Sequence, residues 1–392
     1  MKILQINTVV NSGSTGRIAE EIGLEVINQG HKSFIAYGRG NRLSKSELIK
    51  IGNQKDVYLH GIRTFLSDQH GLGSYNATQS LIKLVQNIKP DIIHLHNIHG
   101  YYINYKVLFQ YIKAERIPVV WTFHDCWPFT GHCVYFDLVG CEKWKTHCEK
   151  CPLTRSYPRS FVDRSFKNFY DKKEAFLNVE NLTIVTPSKW LRNLVKQSFL
   201  KEYIVKTINN GIDMKSFSPP KVKVNEKIIL GVASVWSKRK GLYDFLRLRD
   251  ILDNEIKIVL IGLSNSQIKS LPENIIGISK TENVEELAQW YQKATVFVNP
   301  TYLDNFPTTN LEALACGTPV VTYDTGGSPE SINSEIGEVV EKGNIELLKK
   351  AIERFLYEED LQDLMKACRD HAVKFFDKEK RYKEYLNIYN NI

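Results

Sequence analysis

No apolar run reaches about 18 residues, so no transmembrane helix is expected. The opening MKILQINTVV turns polar too soon for a signal peptide and reads as a first strand, so export is not expected. Neither G-x-G-x-x-G nor a Walker loop occurs, which removes the two commonest nucleotide fingerprints. There is no sequence-level repeat and no low-complexity tract, so neither a repeat array nor a biased segment accounts for the length. What is present is an ordinary soluble composition, 43% hydrophobic and 24% charged. At 392 residues the chain is expected to form two domains.

The charge is uneven. Residues 1–200 carry 26 Lys+Arg against 16 Asp+Glu, a balance of +10; residues 201–392 carry 26 against 28, a balance of −2. An excess confined to the first half points to an anionic partner, such as an acidic membrane surface or a phosphorylated substrate. A merely solvated surface is the alternative.

Strands alternate with helices along the chain. Residues 2–10, 33–37, 91–96, 117–123 and 182–186 read as strands, and 75–88 as a helix. Ile18, Ile22 and Val26 form one stripe of a first helix, with Ala19 and Ile27 beside it, and Gly30 fits its C-terminal cap. The pattern restarts after Asn209-Asn210-Gly211. Strands are predicted over 227–235, 256–261, 295–299 and 319–323, with helices over 242–252, 284–293 and 311–315. SFSPPKVKVNE, residues 216–226, reads as a linker. Residues 345–392 read as successive helices. The expectation is two doubly wound α/β domains facing a central cleft, with ligands outside the carboxyl ends of the strands. The expected division is residues 1–210, 211–370, and a terminal helix over 371–392 that returns to the first domain.

Several constellations follow strand ends. Asn11-Ser-Gly13-Ser14-Thr15-Gly16-Arg17 opens the first helix, where glycines permit close approach and free N–H groups suit an anion. Ser14 and Thr15 are candidate caps; an ordinary turn is the alternative. His94, His96 and His99 end another strand, with His94 and His96 on one face. A metal set or buried structural roles both suit them. His124 ends a further strand, and Asp125 is expected to orient it or to contact a hydroxyl.

Cys133, Cys141, Cys148 and Cys151 follow at spacings of seven, six and two intervening residues. The last pair has zinc-knuckle spacing, and four thiolates would complete a closed structural tetrahedron. Unligated thiols and disulfides are the alternatives; Cys126 falls outside the spacing. In the second half, Lys238-Arg239-Lys240 follow the first strand and suit a diphosphate. Asp304 and Glu312 stand eight apart, with Pro307 marking a non-helical start and Thr308 a candidate cap. Glu312 would accept hydrogen bonds from a vicinal diol such as ribose, and Asp304 would contact sugar hydroxyls.

This combination resembles the retaining glycosyltransferases of the GT-B fold, family four. The signature is an acid, seven residues and Glu, then A-x-x-x-G-x-P-V-V and a Gly-Gly turn. Here it stands as Asp304, Glu312, residues 313–321 and Gly326-Gly327. WTFHDCWPFTGHC and its following cysteines are similar to a bacterial subgroup that builds capsular, exopolysaccharide or lipopolysaccharide chains. The similarity spans essentially the whole chain, including Asn210, Gly211 and Asp213.

The resemblance implies donor-binding roles for Gly13, Ser14, Thr15, Gly16, Arg239, Lys240, Asn305, Phe306, Pro307, Thr308 and Glu312. It implies that His124, Lys240 and Asp304 act at the reacting centre, with Lys240 neutralising the leaving phosphate. Two positions depart from the pattern. Asp304 replaces the usual Glu, one methylene shorter, and the family's arginine aligns near Val235, leaving Arg239 or Lys238 as the second cation.

The implied reaction moves a hexose from a nucleotide diphosphate sugar to a hydroxyl of a lipid-linked or oligosaccharide acceptor, with retention. It needs no catalytic cofactor beside a structural zinc. Asp-x-Asp is absent, unlike the metal-bound diphosphate sites of the other major glycosyltransferase fold. A cytoplasmic protein at the inner face of the plasma membrane, with no nucleic-acid partner, is expected. The rival classes are a Rossmann oxidoreductase or epimerase, and a zinc-containing nucleic-acid-binding protein.

Overall fold

The computed structural model describes residues 1–40, 42–223 and 226–392. The chain divides into two compact units, Met1–Asn209 with Arg381–Ile392, and Asn210–Lys380. No helix among the described residues is long and apolar enough to cross a membrane.

The first unit holds β1 (Lys2–Asn7), β2 (Lys32–Tyr37), β3 (Glu47–Lys50), β4 (Ile92–Leu95), β5 (Val119–Thr122), β6 (Leu182–Thr186) and β7 (Ile204–Thr207). Their order is β3-β2-β1-β4-β5-β6-β7, parallel throughout. The inner strands are buried on both faces, so their sequences run apolar without alternation. The two edge strands are short, mostly exposed and carry Glu47, Lys50 and Lys206. Charged, short edges resist pairing with another chain, and they leave no apolar signal to read.

The helix Gly13–Asn28 buries Ile18, Ala19, Ile22 and Val26, as its stripe predicts. Gly30 follows at φ +79°, with its N–H on Ile27 O at 2.9 Å. That left-handed position favours glycine and satisfies a terminal carbonyl.

The second unit holds β8 (Ile228–Val232), β9 (Lys257–Ile261), β10 (Ile275–Ile278), β11 (Val296–Asn299), β12 (Val320–Tyr323) and β13 (Gly337–Val340). Their order is β10-β9-β8-β11-β12-β13, again all parallel. In each sheet the order reverses beside the first strand, between β1 and β4 and between β8 and β11. A crevice opens at such a reversal, outside the carboxyl ends of the strands.

The predicted linker differs from a free spacer. Val224 and Asn225 lie outside the described residues, but Lys223 is buried in the second unit. Its ammonium donates to Gln292 O and Thr318 Oγ1, both at 2.9 Å, and burial lowers its pKa to about 8. Two acceptors and a buried stem anchor this stretch.

The helices Ile345–Leu356, Leu361–Phe376 and Lys378–Tyr389 close the chain. The end of the last one packs Tyr382, Tyr385, Leu386, Ile388 and Tyr389 against Ile3, Ile18, Ile22, Val26 and Ile92 of the first unit. Tyr389 OH lies 2.6 Å from His94 Nδ1, and His94 Nε2 lies 2.8 Å from Thr122 Oγ1.

Burial lowers several imidazoles of this unit. His94 and His60 fall to about 3, and His70 and His96 well below the ordinary histidine value. The unfolded chain, titrating near 6.5, then binds more protons than the folded one at mildly acid pH. Stability from these groups is full above pH 6.5 and falls as pH drops below it. Each group should cost on the order of 1 kcal/mol or more by pH 5. Thermal melts from pH 7.5 to 5 should show the Tm of this unit dropping, and a flat profile would contradict the buried neutral rings.

Candidate active site

In the second unit the chain leaves β8 through exposed Ser234 and Val235 and forms a short 3-10 turn, Lys238–Lys240. The loop after β11 comes back against this turn. Tyr302 N donates to Arg239 O at 2.8 Å, and the Arg239 guanidinium donates to Leu303 O at 2.7 Å. The Lys240 ammonium pairs with Asp304 Oδ2 at 2.5 Å. Arg239 and Lys240 therefore converge on residues 303–304, while Lys238 is exposed. Of the two candidates for the second cation, Arg239 is the one beside Lys240's partner.

Two glycines make this approach possible. Gly241 stands at φ +76°, and a Cβ there would lie 2.1 Å from Pro300 O. Gly326 stands at φ +55°, and its Cβ would lie 1.9 Å from Asp304 O. Gly327 N donates to that same oxygen at 3.1 Å. Asp304 is thus gripped through its backbone by the Gly-Gly turn and through its carboxylate by Lys240.

Asn305, Phe306 and Pro307 are buried and lead into the helix Thr308–Ala315. Here the cap expectation is corrected. Pro307 is the N-cap residue, and Thr308 is the first helical residue. Proline has no side-chain acceptor, so no side chain caps this end. Its first-turn N–H groups suit an anion. Glu312 is buried on this helix, and Tyr291 OH donates to its Oε2 at 2.8 Å.

In the first unit the turn after β1 also starts a helix without a side-chain cap. Its N-cap is Ser12, so Ser14 and Thr15 lie in the first turn and do not cap it. Asn11 N donates to Gly16 O at 3.1 Å, which folds the loop back over the helix start. A Cβ at Gly16 would meet Val9 Cγ2 at 3.1 Å, whereas one at Gly13 meets nothing within 4 Å. A side chain at Gly16 would crowd Val9, whereas Gly13 has open space but stands at φ +61°, a left-handed conformation that favours glycine.

The histidines at the ends of β4 and β5 split into separate pairs. His124 Nε2 lies 3.1 Å from His96 Nδ1, and His96 Nε2 lies 2.9 Å from Gln5 Oε1. Burial pulls the His124 imidazole down to about 4, the neighbouring Asp125 carboxylate only partly opposing it. At neutral pH it is an uncharged hydrogen-bonding ring. Asp125 does not hydrogen-bond it, so of the two expected roles, orienting His124 or contacting a hydroxyl, the first is not seen. The carboxylate lies 2.9 Å from His99 Nε2 and accepts from Trp127 N at 2.9 Å. Burial by itself would raise Asp125, but His99 and the Trp127 N–H hold it below the usual carboxylate range. His94, His96 and His99 thus face different partners and form no joint ligand set.

Cys133, Cys141, Cys148 and Cys151 line one small cavity beside Phe136 and Trp144, and Cys126 is buried apart from it. All seven cysteines are free thiols. Among the described residues no three His, Cys, Asp or Glu side chains are already disposed to hold a metal ion. Sequence reasoning missed Tyr291, the His96–His124 contact and the His99–Asp125 pair. No local pattern marks them, because the partners come from different strands or helices.

Known proteins bear on this geometry. A model described as "Glycosyltransferase Family 4" matches residues 15–216, and one described as "Glycosyl transferases group 1" matches residues 213–374. A putative colanic acid biosynthesis glycosyl transferase, WcaC of Escherichia coli K12, is 24% identical over the full length of both chains. A Campylobacter jejuni N,N'-diacetylbacillosaminyl-diphospho-undecaprenol alpha-1,3-N-acetylgalactosaminyltransferase is 26% identical over 62% of this chain and 66% of its own. Anabaena HepE, solved in complex with UDP, shares the fold with a TM-score of 0.69 at 13% identity, over all of both chains. With one family model covering more than half its length and two parallel Rossmann-like sheets, the chain belongs to glycosyltransferase family 4 and is a GT-B glycosyltransferase.

Proposed function

We propose that the chain transfers a hexose from a nucleoside diphosphate sugar to a hydroxyl of a lipid-linked saccharide, with retention at the anomeric carbon, in surface-polysaccharide synthesis. The observation that carries the donor half is the convergence of Arg239 and Lys240 on residues 303–304, beside an uncapped helix that bears buried Glu312. Breaking the bond between the anomeric carbon and the phosphate oxygen leaves negative charge on the diphosphate. Lys240 exchanges Asp304 for that phosphate and stabilises the charge as it develops. The acceptor oxygen forms the new bond on the same face of the sugar, and its proton leaves with the nucleoside diphosphate. Glu312, oriented by Tyr291, accepts the ribose hydroxyls. His124, neutral at the ends of β4 and β5, hydrogen-bonds near the transferred sugar.

The acceptor half rests on the helix Gln54–Ser67. It buries only His60 and Thr64. Tyr58, Leu59 and Leu66 are 70%, 63% and 60% exposed, and Phe161, packed edge-on to Phe65, is 81% exposed. Ile62 and Phe65 extend the same outward stripe. An apolar helix face this open suits a lipid surface. Beside it lies a groove of about 730 Å³ lined by Arg39, Lys50, Lys55, Tyr58 and Leu59. Cations next to an apolar face match a phosphate joined to a hydrocarbon chain. The diphospho-undecaprenol in the name of the Campylobacter relative is an acceptor of that chemistry.

A thermal-shift screen of nucleoside diphosphate sugars should find one donor that raises the Tm, by about 2.7 kcal/mol of added stability at a hundredfold excess over Kd. The anomeric configuration of the product, read by NMR, should equal that of the donor; an inverted product would refute retention. Leu59→Asp with Leu66→Asp should abolish sedimentation with anionic vesicles while activity on a water-soluble acceptor persists. Undiminished vesicle binding would rule out this face.

A further inference from the structure

Between Cys126 and Arg164 the described chain forms no strand and no α-helix, only the 3-10 turns Trp127–Phe129, Asp137–Val139 and Lys143–Lys145. Irregular stretches this long are uncommon in compact domains unless something holds them. Its aromatic anchors are nonetheless buried: Trp127, Phe129, Phe136 and Trp144 belong to the core of the first unit. The Phe136 and Trp144 rings stack at 4.7 Å.

The cavity shared by Cys133, Cys141, Cys148 and Cys151 has a volume of about 10 Å³, room for a single atom or ion. Lys143 and Glu149 also line it, and donor groups lie around it. Gly131 N donates to Cys148 Sγ at 3.1 Å. Lys172 is fully buried, donates to Trp127 O at 2.6 Å and Thr130 O at 2.9 Å, and pairs with no carboxylate among the described residues. His132 also lines the cavity. Its Nδ1 lies 2.6 Å from Asp68 Oδ1, and its Nε2 is buried with no hydrogen-bond partner. A buried polar atom without a partner is costly, and a buried ammonium without an anion more so. His132 Nε2 lacks a partner, and Lys172 has two carbonyl acceptors and the Trp127 ring, 3.6 Å from its nitrogen, but no paired carboxylate among the described residues.

We infer that Cys133, Cys141, Cys148 and Cys151 hold one structural Zn²⁺ as thiolates, with Lys172 as an outer cation that offsets part of its charge and His132, fixed by Asp68, as an outer packing group. Four thiols lose four protons and bind one dication, so the centre carries two negative charges and nothing is oxidised or reduced. Lys172 supplies a buried positive charge beside it. Asp68 Oδ1, 2.6 Å from His132 Nδ1, fixes the ring where it lines the cavity. Among the described residues no three such side chains already form a metal-holding group, so binding requires the four thiols that line the cavity to draw together. Tetrahedral sulfur coordination with no open position gives zinc a purely structural role. An iron–sulfur cluster needs more than the space of one atom.

The test uses the full chain, purified under reducing conditions and freed of loose metal by a weak chelator. Elemental analysis should find about one zinc per chain. Cobalt exchanged into the unmutated protein should give the sulfur-to-metal charge-transfer and visible bands of a tetrahedral thiolate site, a readout that does not depend on any variant folding. Cys141→Ser should alter that spectrum; an unaltered one would overturn the four-thiolate set. Lys172→Met and His132→Gln should keep the spectrum but lose metal to chelator about tenfold more readily, as outer groups do. Metal-free protein whose Tm is indifferent to zinc, or disulfides among these cysteines in fresh protein, would overturn the inference.

Discussion

Replacing Lys240 with alanine should lower kcat/KM for the nucleotide sugar by about 10²–10³-fold, the usual cost of removing a group aimed at developing charge. The change removes the ammonium 2.5 Å from Asp304 and leaves the turn itself intact, because Lys240 N still donates to Ser237 O and Gly241 N to Lys238 O. Circular dichroism and Tm should therefore move little. The companion Asp304→Asn separates two roles. If Asp304 only holds Lys240 before the donor arrives, Asn should cost less than about tenfold. If it contacts the transferred sugar, the loss should approach that of Lys240→Ala and appear in kcat. Full activity in Lys240→Ala would remove the proposed stabilisation of the leaving group.

Glu312→Gln should raise the donor KM by about 10–100-fold, the range for losing charged hydrogen bonds to a ligand. Glutamine keeps the volume of a buried side chain on the helix Thr308–Ala315, so the fold should survive. Tyr291→Phe removes only the bond that orients Oε2, and a rise of several-fold is expected. The pair is informative together: KM should follow the order glutamine, then phenylalanine, with kcat changing less than KM in both. A donor KM unchanged in Glu312→Gln would exclude the ribose role.

These residues differ in how far they could be read from the chain. Glu312 was legible because a carboxylate eight residues after Asp304, ahead of Gly-Thr-Pro-Val-Val, is poorly explained as a surface charge. The first and last predicted strands of each apolar series fall where β1, β6, β8 and β12 lie, within a few residues, since a parallel strand buried on both faces reads as a continuous apolar run. The edge strands β3 and β7 escaped because half-exposed, charged segments carry no such run. So did β10 and β13, which are only partly buried. The capping errors at Ser14, Thr15 and Thr308 share one cause. A Ser or Thr near a helix start is a good cap in general, but the backbone turned into helix one or more residues earlier, at Gly13 and directly after Pro307.

Composition, apolar runs and motif spacing determined the α/β class, the restart of the pattern near residue 210 and the family, because each of these is a local property of neighbouring residues. Pairing is a property of the folded chain. Lys240 meets Asp304 64 positions away, Glu312 meets Tyr291 21 away, and Asp125 turns from adjacent His124 to His99. Parallel sheets bring such partners together by aligning strand ends through long crossovers, at no fixed interval along the sequence. The four cysteines were visible as a spacing. That they share one atom-sized cavity with His132, near buried Lys172, was decided by the packing of a loop whose own sequence has no period.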